Sequence, residues 1–368
     1  MSIGGLPTRR IHIEAEHLKE LSQRDVWSKR FIPIQIELDG RWMPAMLRHR
    51  GGHTRNYPKK SFEIQLEDGT TLHWNAEYDD PSMLRNALSF AFFNMIGVPA
   101  SKTRHCWVEW NGQPIGIYLE IEAVDRKFFE SRGIGVKSII YAVNDNAGFG
   151  LIDPETRRRK RSLFDGYELK NGETSDRVRL ISFIRKLHQL KGERLRVHLS
   201  NQLDVEQYLK WLSGAVLTGN YDGFDQNYTL FENKSNRLYC ILPWDYEGTW
   251  GRNCYGKPCG SDLVRIQGYN TLTKRVLSIP EYRKSYYKLL SYLLQTAFTA
   301  ETLSPTIHAM HDAISPLIRY DHTRKWTYAV FEQEPPYILN YIRERRAILQ
   351  SRLKLLTKSD RQKMSILK

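Results

Sequence analysis

The chain has 368 residues and a formal net charge of +14, from 55 Lys and Arg against 41 Asp and Glu. This length is enough for two or three packed lobes, and no stretch approaches the roughly 18 apolar residues needed to span a bilayer. The N-terminal MSIGGLPTRRIHIEAE lacks the apolar core of a secretory signal, so we expect a soluble, intracellular protein that uses no membrane.

The first ~145 residues are predicted to form a mostly antiparallel sheet that carries one main helix. Alternating apolar residues on either side of Asp39-Gly40 predict a hairpin, and the following KKSFEIQLEDG has the period of a half-buried strand. Met83 to Ile96 has the apolar stripe of a helix. Two further strands meet at a turn at Asn111-Gly112, and KSIIYAV predicts another strand.

Lys60 falls on the apolar face of the strand KKSFEIQLEDG, and Lys59 on its polar face. A buried ammonium is costly unless it is paired or binds an anion, so Lys60 is a candidate for binding nucleotide phosphates. The alternative is that Lys60 begins the strand and reaches solvent. The preceding RHRGGHTRNYP offers the backbone of Gly51 and the cations Arg50 and Arg55 as further phosphate contacts.

The densest basic run is TRRRKR, from Thr156 to Arg161, and it is predicted to be an exposed loop. No RNA-binding motif or interleaved aromatic residue accompanies it, which favours a solvated surface over a nucleic-acid site. A contact to an anion or to a phosphorylated substrate is the functional alternative. The four cysteines match no zinc pattern, and we expect free thiols.

Helical apolar spacing dominates the rest of the chain. The segments with this spacing are TSDRVRLISFIRKLHQLKG, VEQYLKWLSGAVLTGN, PEYRKSYYKLLSYLLQTAF, SPTIHAMHDAISPLIRY and PPYILNYIRERRAILQSRLKLL. The exception is a predicted hairpin, in which TLFEN and RLYCILPWD flank the turn NKSN. A β-rich half, a helical half and a hairpin embedded in the helical half are the layout of a protein-kinase-like enzyme of the α+β class.

Residues around this hairpin have the spacing of a kinase catalytic centre. Protein kinases use a catalytic-loop Asp, an Asn five positions later, and a second Asp after a short hairpin. Here Asp222 precedes Asn227 by five residues, and Asp245 follows the hairpin. Asp222 would orient the acceptor hydroxyl and take its proton, whereas Asn227 and Asp245 would hold metal ions. The alternative for each is a turn-capping role, and their combination with Lys60 favours the catalytic interpretation.

Successive blocks of the chain resemble those of the spore coat protein H (CotH) family. The blocks are RGGHTRNYPKKSFEIQL, DDPSMLRNALSFAFFNMIGVPA, GIYLEIEAVD, YDGFDQNYTLFENKSNRLYCILPWDYEGTWG and EQEPPYILNYIRERRAIL, which extend in order over nearly the whole chain. The resemblance implies an atypical protein-kinase-like fold with two lobes. We expect residues 1–124 to form a β-rich N-terminal lobe with the phosphate-binding loop and lysine. Residues 125–368 would form a mainly helical C-terminal lobe with the catalytic loop and the metal-binding hairpin.

The resemblance also implies a function. Members similar to this chain are ATP-dependent protein serine kinases of Bacillus-type spore coats, so the expected cofactors are ATP and Mg²⁺ or another divalent metal. The expected substrates are Ser-rich, basic coat proteins whose phosphorylation coat assembly requires, in the mother-cell cytoplasm or the spore coat. In this resemblance Lys60 matches the phosphate-binding lysine and Asp222 the catalytic-loop aspartate. Asn227 and Asp245 match the metal ligands.

Departures from conventional kinases leave the assignment of the base open. No His-Arg pair precedes Asp222, since the chain has Asn220-Tyr221 there, and Asp245 opens DYEG rather than DFG. Asp225 lies close enough in sequence to exchange roles with Asp222.

Two parts of the nucleotide site also stay open. The helix from Met83 to Ile96 contains no Glu to pair with Lys60, which leaves Glu120 or Glu122 as candidates. For the adenine, the backbone from Glu122 to Val124 is expected to offer hydrogen-bonding edges. The rings of Tyr141 and Trp244 are candidates to stack on the base.

Two other classes of function remain as alternatives. A structural coat or scaffold protein would keep the fold without transferring phosphate, and a basic nucleic-acid binder would use the scattered positive charge. The joint presence of Lys60 and the three residues around the hairpin argues against the scaffold. The absence of a recognition motif makes nucleic acid the less favoured partner.

Overall fold

A computed structural model describes residues 2–366, with side chains described for residues 4–356. The chain divides into two compact units. Unit 1 comprises residues up to 88, 101–128 and 305–335, and unit 2 comprises residues 89–100, 129–304 and those from 336 onward. The units do not follow a single boundary after residue 124, because 305–335 joins the first unit and 89–100 joins the second.

Unit 1 contains an eight-stranded sheet that closes on itself. Its strands are β1 (Ser2–Ile3), β2 (Leu6–His12), β3 (Ile32–Leu38), β4 (Arg41–Arg50), β5 (Ser61–Leu66), β6 (Thr71–Asn75), β7 (Thr103–Trp110) and β8 (Gln113–Glu122). Their order is β1-β2-β3-β4-β5-β6-β8-β7, and β2 also pairs in parallel with β7. Strands β2 to β8 therefore form a barrel-like sheet rather than the plain antiparallel lobe expected. Alternation in a sequence shows which face is buried, but not whether distant strands pair.

The two predicted hairpins of unit 1 are confirmed. Asp39 and Gly40 join β3 to β4 with φ angles of 51° and 85°, and Asn111 and Gly112 join β7 to β8 with 49° and 77°. Two-residue hairpin turns of this kind need positive φ, which Asn, Asp and Gly adopt most readily. These turns fix the register of the strands that they join, so alternate side chains such as Ile34 and Leu47 fill the interior of the sheet.

The described chain also contains helices, which are distributed over both units. They are α1 (Ala15–Gln23), α2 (Arg85–Met95), α3 (Arg126–Glu130), α4 (Thr174–Gln189), α5 (Gly192–Gln202), α6 (Val205–Thr218), α7 (Thr271–Leu277), α8 (Pro280–Leu293), α9 (Ala300–Ile318), α10 (Tyr328–Glu332) and α11 (Glu334–Ile366). The helices predicted from apolar spacing are confirmed as α2, α4, α6, α8, α9 and α11. Within the described part of the chain, no helix is both long and apolar enough to cross a membrane.

Unit 2 combines helices with a four-stranded antiparallel sheet. Its strands are β9 (Val136–Ala142), β10 (Tyr167–Asn171), β11 (Tyr228–Asn233) and β12 (Tyr239–Pro243), in the order β10-β9-β11-β12. The predicted hairpin is β11-β12, and the predicted strand KSIIYAV is β9, which pairs with β11. The C-terminal half is therefore less purely helical than expected, because the hairpin joins a larger sheet. No disulfide joins the four cysteines, all of which lie within the described residues.

Candidate functional site

The hairpin β11-β12 brings Asn227 and Asp245 to the same end of the sheet of unit 2. Tyr228 pairs with Pro243, and the amide nitrogen of Trp244 donates to the main-chain oxygen of Asn227 at 3.1 Å. Asn227 and Asp245 thus flank the base of the hairpin, as the sequence predicts. Both have positive φ, 58° and 55°. Such conformations are uncommon for residues other than glycine and concentrate at functional sites.

The loop that carries Asp222 follows directly on the buried helix α6. The helix ends at Gly219, whose φ is 75°, and a Cβ there would lie 2.4 Å from the Tyr341 hydroxyl oxygen. Only glycine fits such a position. The Asn220 side-chain oxygen then accepts a hydrogen bond from the Gly223 amide at 2.8 Å. These contacts hold the turn in which Asp222 begins a short 3-10 helix.

A cavity of about 290 Å³ lies against this loop in unit 2. Its lining residues are Asp145, Gly148, Gly150, Ile152, Pro154, Lys160, Tyr221, Asp222 and Asp225. Three carboxylates and one ammonium therefore face a single space that is large enough for part of a nucleotide or a substrate side chain. We call it the carboxylate cavity.

The carboxylates of this cavity influence one another. Burial, together with the charges of Asp145 and Asp222, raises the pKa of Asp225 to about 6, although Lys160 acts in the opposite direction. The Asp225 carboxylate packs closely on Gly148, where a Cβ would lie 2.4 Å from its Oδ1 atom. Like charges that line one cavity are stabilised by a cation.

The oxygen donors of the site fit Mg²⁺, which prefers carboxylate and amide oxygens and usually keeps several waters. Asp222 faces the carboxylate cavity, and Asn227 and Asp245 flank the base of the hairpin. Among the described residues, no group of three or more His, Cys, Asp and Glu side chains is arranged to hold an ion. An ion here would therefore need the Asn227 amide oxygen, water and phosphate oxygens in addition to the carboxylate of Asp245.

Cys254 is a neighbour of Asp222 that the sequence does not indicate. Burial, together with the charges of Asp222 and Glu247, raises the pKa of the Cys254 thiol to about 12. The thiol forms a hydrogen bond with the Asp222 side chain. Cys254 is therefore a neutral donor that orients this carboxylate.

The two rings predicted to bind adenine contact each other in unit 2. Tyr141 lies on β9 and Trp244 directly follows β12. Their ring centroids are 5.3 Å apart. The Lys170 ammonium lies 5.1 Å from the centre of the Tyr141 ring.

The predicted phosphate-binding segment belongs to unit 1 and is held by its own hydrogen bonds. The Arg55 guanidinium donates to the main-chain oxygens of Gly51 at 2.7 Å and Val26 at 2.8 Å. Arg50 donates to the side chain of Asn75. Lys60 donates to the main-chain oxygen of Arg55 at 2.6 Å and is half-buried.

Gly51 is needed where it stands, since its φ is 106° and a Cβ would lie 2.3 Å from the Thr54 hydroxyl oxygen. Glu122 is the first residue of the backbone segment that is expected to form hydrogen bonds with adenine. It ends β8, and its side chain accepts a hydrogen bond from the Lys102 amide at 3.0 Å. These contacts describe how each residue is held. Their roles toward a nucleotide stay predictions.

The assignment of Lys59 to the polar face is wrong. Lys59 is buried, and its ammonium donates to an Asp321 carboxylate oxygen at 2.8 Å and to the main-chain oxygen of Ile117 at 2.7 Å. The strand β5 begins only at Ser61, so the alternation of the strand does not extend back to Lys59. Asp321 lies far along the chain, and a pairing of this kind leaves no local signal.

The candidate partners of Lys60 also have other contacts. Glu120 forms a bidentate ion pair with Arg9, at 2.9 and 3.0 Å, and accepts from the Trp74 indole at 3.0 Å. This pairing holds β8 and β2 together across β7. Among the described residues, Lys60 has no ion pair with either Glu120 or Glu122.

Asp145 and Lys160 line the carboxylate cavity but were not singled out from the sequence. Asp145 follows β9 by a few residues. A polar residue just after the end of a strand is a usable sequence signal of a functional site. Lys160 belongs to the basic run TRRRKR. Its arginines are exposed, as predicted, whereas Lys160 is half-buried and donates to the main-chain oxygen of Asn146.

Comparison with known families gives a match over most of the chain. Residues 47–349 match the family model described as CotH kinase protein. The inner spore coat protein H of Bacillus subtilis (strain 168) is 38% identical over 357 residues, covering 95% of this chain and 98% of that protein. A second protein of the same strain, an inner spore coat protein H-like protein, is 32% identical over 310 residues, covering 84% and 89%.

Two solved structures align over much of the chain with low scores. One contains HipA and HipB of a Shewanella oneidensis MR-1 toxin-antitoxin system with operator DNA, and it aligns with a TM-score of 0.44 and 12% identity over 93% of this chain and 73% of that one. The other is the Helicobacter pylori proinflammatory kinase CtkA, with a TM-score of 0.35 and 11% identity over 83% and 94%. Scores this low assign no fold.

Proposed function

Because the chain belongs to the CotH kinase protein family, we propose that it transfers the γ-phosphate of ATP to serine side chains of spore coat proteins. The observation that carries this proposal is the hairpin register in unit 2. Asn227 and Asp245 flank one end of the hairpin, and the loop just before it places Asp222 and Asp225 on one cavity. Phosphoryl transfer needs such a set, with metal-holding oxygens and one base.

In the proposed reaction, the serine Oγ attacks the γ-phosphorus in line with the leaving oxygen. The Oγ–P bond forms as the bond from phosphorus to the β,γ-bridging oxygen breaks, and ADP leaves with that oxygen. Asp222 orients the serine hydroxyl and accepts its proton. Positioning and electrostatic stabilisation supply most of the rate enhancement in such transfers, so no covalent nucleophile is needed.

Asn227 and Asp245 would hold Mg²⁺, which neutralises phosphate charge when bound. Cys254 donates its thiol hydrogen to Asp222 and so limits the rotation of that carboxylate. Asp225 stays the alternative base, because it lines the same cavity.

The nucleotide contacts form a second part of the proposal. Lys60, Arg50, Arg55 and the backbone of Gly51 are proposed to contact the phosphates. Glu122 to Val124, Tyr141 and Trp244 are proposed to contact adenine, and the observed pairing of the two rings supports a shared aromatic surface.

The relatives support a proposed location, and the class of acceptor protein is a further part of the proposal. The similarity to an inner spore coat protein over 95% of the chain supports a place in the spore coat. We propose Ser-rich basic coat proteins as the acceptors, made in the mother cell.

Transfer of labelled phosphate from ATP tests the proposal. Wild type, Asp222→Ala and Asp245→Ala are incubated with ATP, Mg²⁺ and a Ser-rich basic peptide. Wild type is expected to label serine, and both variants are expected to lose at least about 100-fold in rate. Equal labelling by all three would refute the active-site assignment. No labelling by a correctly folded wild type would favour the scaffold alternative.

A further inference from the structure

A second cavity of unit 2, of about 550 Å³, shares Lys160 with the carboxylate cavity. Its polar lining includes Arg159, Lys160, Arg161, Ser162, Arg185 and His188. We call it the basic cavity. Nothing in the proposed transfer uses these arginines, although they supply part of the strong positive charge of the chain.

The basic run is presented by an ordered turn. The Asp153 carboxylate accepts hydrogen bonds from the amides of Thr156 at 2.7 Å and Glu155 at 3.0 Å. The Lys160 amide donates to the main-chain oxygen of Leu151 at 3.0 Å, and Ile152 forms a bridge with Arg159. The segment that follows this turn therefore holds Arg159, Lys160 and Arg161 at fixed positions.

The arginines of the basic cavity keep their charges available. Arg159, Arg161 and Arg185 are exposed, and no ion pair to any of the three occurs in the described part of the chain. Three guanidinium groups lining one cavity repel one another, and an anion with several oxygens would relieve that repulsion. Arginine binds phosphate oxygens with paired N–H donors, so a phosphate monoester suits this cavity in charge and geometry.

We propose that the basic cavity binds a phosphoserine of a partly phosphorylated substrate, so that one modified serine directs a neighbouring serine toward Asp222. This inference rests on the proposed function, because it assigns the anion to the product of the same reaction. Lys160 lines both cavities and connects the bound phosphate with the site of transfer. A repetitive serine-rich acceptor would then be modified in succession.

A phosphopeptide fits these observations better than a nucleic acid. The cations line a bounded cavity rather than a long stripe, and its other lining residues are Leu151, Leu163, Ile181 and Gln189. The described lining of this cavity contains no Phe, Tyr or Trp ring, and the imidazole of His188 is its single aromatic side chain. Single-stranded nucleic acids are bound through such rings together with a basic groove.

Direct binding tests the proposal without any need for catalysis. A fluorescent serine-containing peptide and the same peptide with one phosphoserine are titrated with wild type, and binding is followed by fluorescence anisotropy. The test variant is Arg159→Gln with Arg185→Gln, which removes two charges from exposed side chains. The matched control is Lys284→Gln with Lys288→Gln, which removes two exposed charges of α8 that do not line the cavity.

Wild type and control are expected to bind the phosphopeptide about tenfold more tightly than the unmodified peptide, because hydrogen bonds between charged groups add this much affinity. The test variant should lose that preference. Inorganic phosphate at matched ionic strength should compete only weakly, since it lacks the peptide contacts. Equal affinity of wild type for both peptides, or an equal loss in control and test variants, would overturn the proposal. So would binding of a single-stranded RNA with the same dependence on the two arginines.

The result of the phosphopeptide binding test can be distinguished from that of the phosphate-transfer test. If phosphate transfer fails but the phosphopeptide preference holds, the basic cavity is a recognition site on a non-catalytic protein. If transfer occurs without that preference, only the present inference is wrong.

Discussion

The rings of Tyr141 and Trp244 pack against each other, with centroids 5.3 Å apart and planes inclined by 37°. Tyr141 lies on β9, which pairs with β11, and Trp244 directly precedes Asp245. Both side chains are half-buried, so each leaves part of its surface exposed. The hairpin register that positions a proposed metal ligand therefore also builds an aromatic surface beside it.

Trp244→Ala should weaken ATP binding by about 1 kcal/mol, or roughly fivefold, because an aromatic pair contributes about this much beyond its buried area. Trp244→Phe keeps a ring and should retain most of the affinity. Calorimetric titration of ATP with Mg²⁺ measures both variants. An unchanged affinity in Trp244→Ala would show that the ring does not contact the nucleotide.

The second prediction concerns which of the two aspartates, Asp222 or Asp225, is the catalytic base. Asp222→Asn should lower kcat for serine phosphorylation by about 100-fold or more, because the amide cannot accept the proton. Asp225→Asn should lower kcat less, since its carboxylate is packed on Gly148. ATP affinity measured in parallel separates loss of binding from loss of chemistry. The reverse order of effects would assign the base to Asp225.

The parts of the site that the sequence predicted are those governed by local signals. Asp222 and Asn227 precede two alternating apolar segments and Asp245 follows them, so pairing those segments brings Asn227 and Asp245 together. The residue types of Asp39-Gly40 and Asn111-Gly112 likewise indicate the conformations of these two turns. Each of these features depends on a few adjacent residues.

The features that the sequence did not predict depend on contacts between distant segments. The parallel pairing of β2 with β7 joins residues nearly 100 positions apart, as in Thr8 with Trp107. The burial of Lys59 depends on Asp321, 262 positions later. Alternation within β5 could not reveal that partner, because it describes one strand and says nothing about what packs on it.

The pair of Lys59 and Asp321 gives a stability prediction. Both side chains are buried, and Asp321 also accepts hydrogen bonds from the amides of Ile117 at 2.9 Å and Thr323 at 3.0 Å. Asp321→Ala should destabilise the protein by about 3–5 kcal/mol, because it leaves an unpaired buried ammonium. The urea dependence of unfolding measures this loss.

Lys60 differs from its neighbour Lys59 in burial and in contacts. Its ammonium contacts the main-chain oxygen of Arg55 and is only half-buried, so Lys60→Met should cost about 1 kcal/mol of stability or less. The same substitution should weaken ATP binding if Lys60 contacts phosphate. A stability loss as large as that of Asp321→Ala would contradict the distinction between the two lysines.

We expect His105 to make the stability of unit 1 depend on pH. It is buried, and its Nε2 atom lies 2.7 Å from the main-chain oxygen of Met83, which the neutral ring contacts as a donor. Burial lowers the pKa of His105, against smaller opposing effects of Met83 and of the Asp80 charge. As pH falls below about 6.5, the unfolded chain therefore gains a proton here that the folded chain does not. Stability is retained above that pH and decreases toward the folded pKa, by at most about 1.4 kcal/mol per pH unit from this residue.

His105→Gln removes this titrating group, so its unfolding free energy should fall less steeply between pH 7 and 5.5, a range chosen to span about 6.5. His322→Gln, at an exposed position, is the matched control and should keep the wild-type slope. Urea unfolding at several pH values measures the slopes, and any uniform loss of stability in a variant cancels in that comparison. If His105→Gln and His322→Gln have the same slope as wild type, His105 is not the source of the pH dependence.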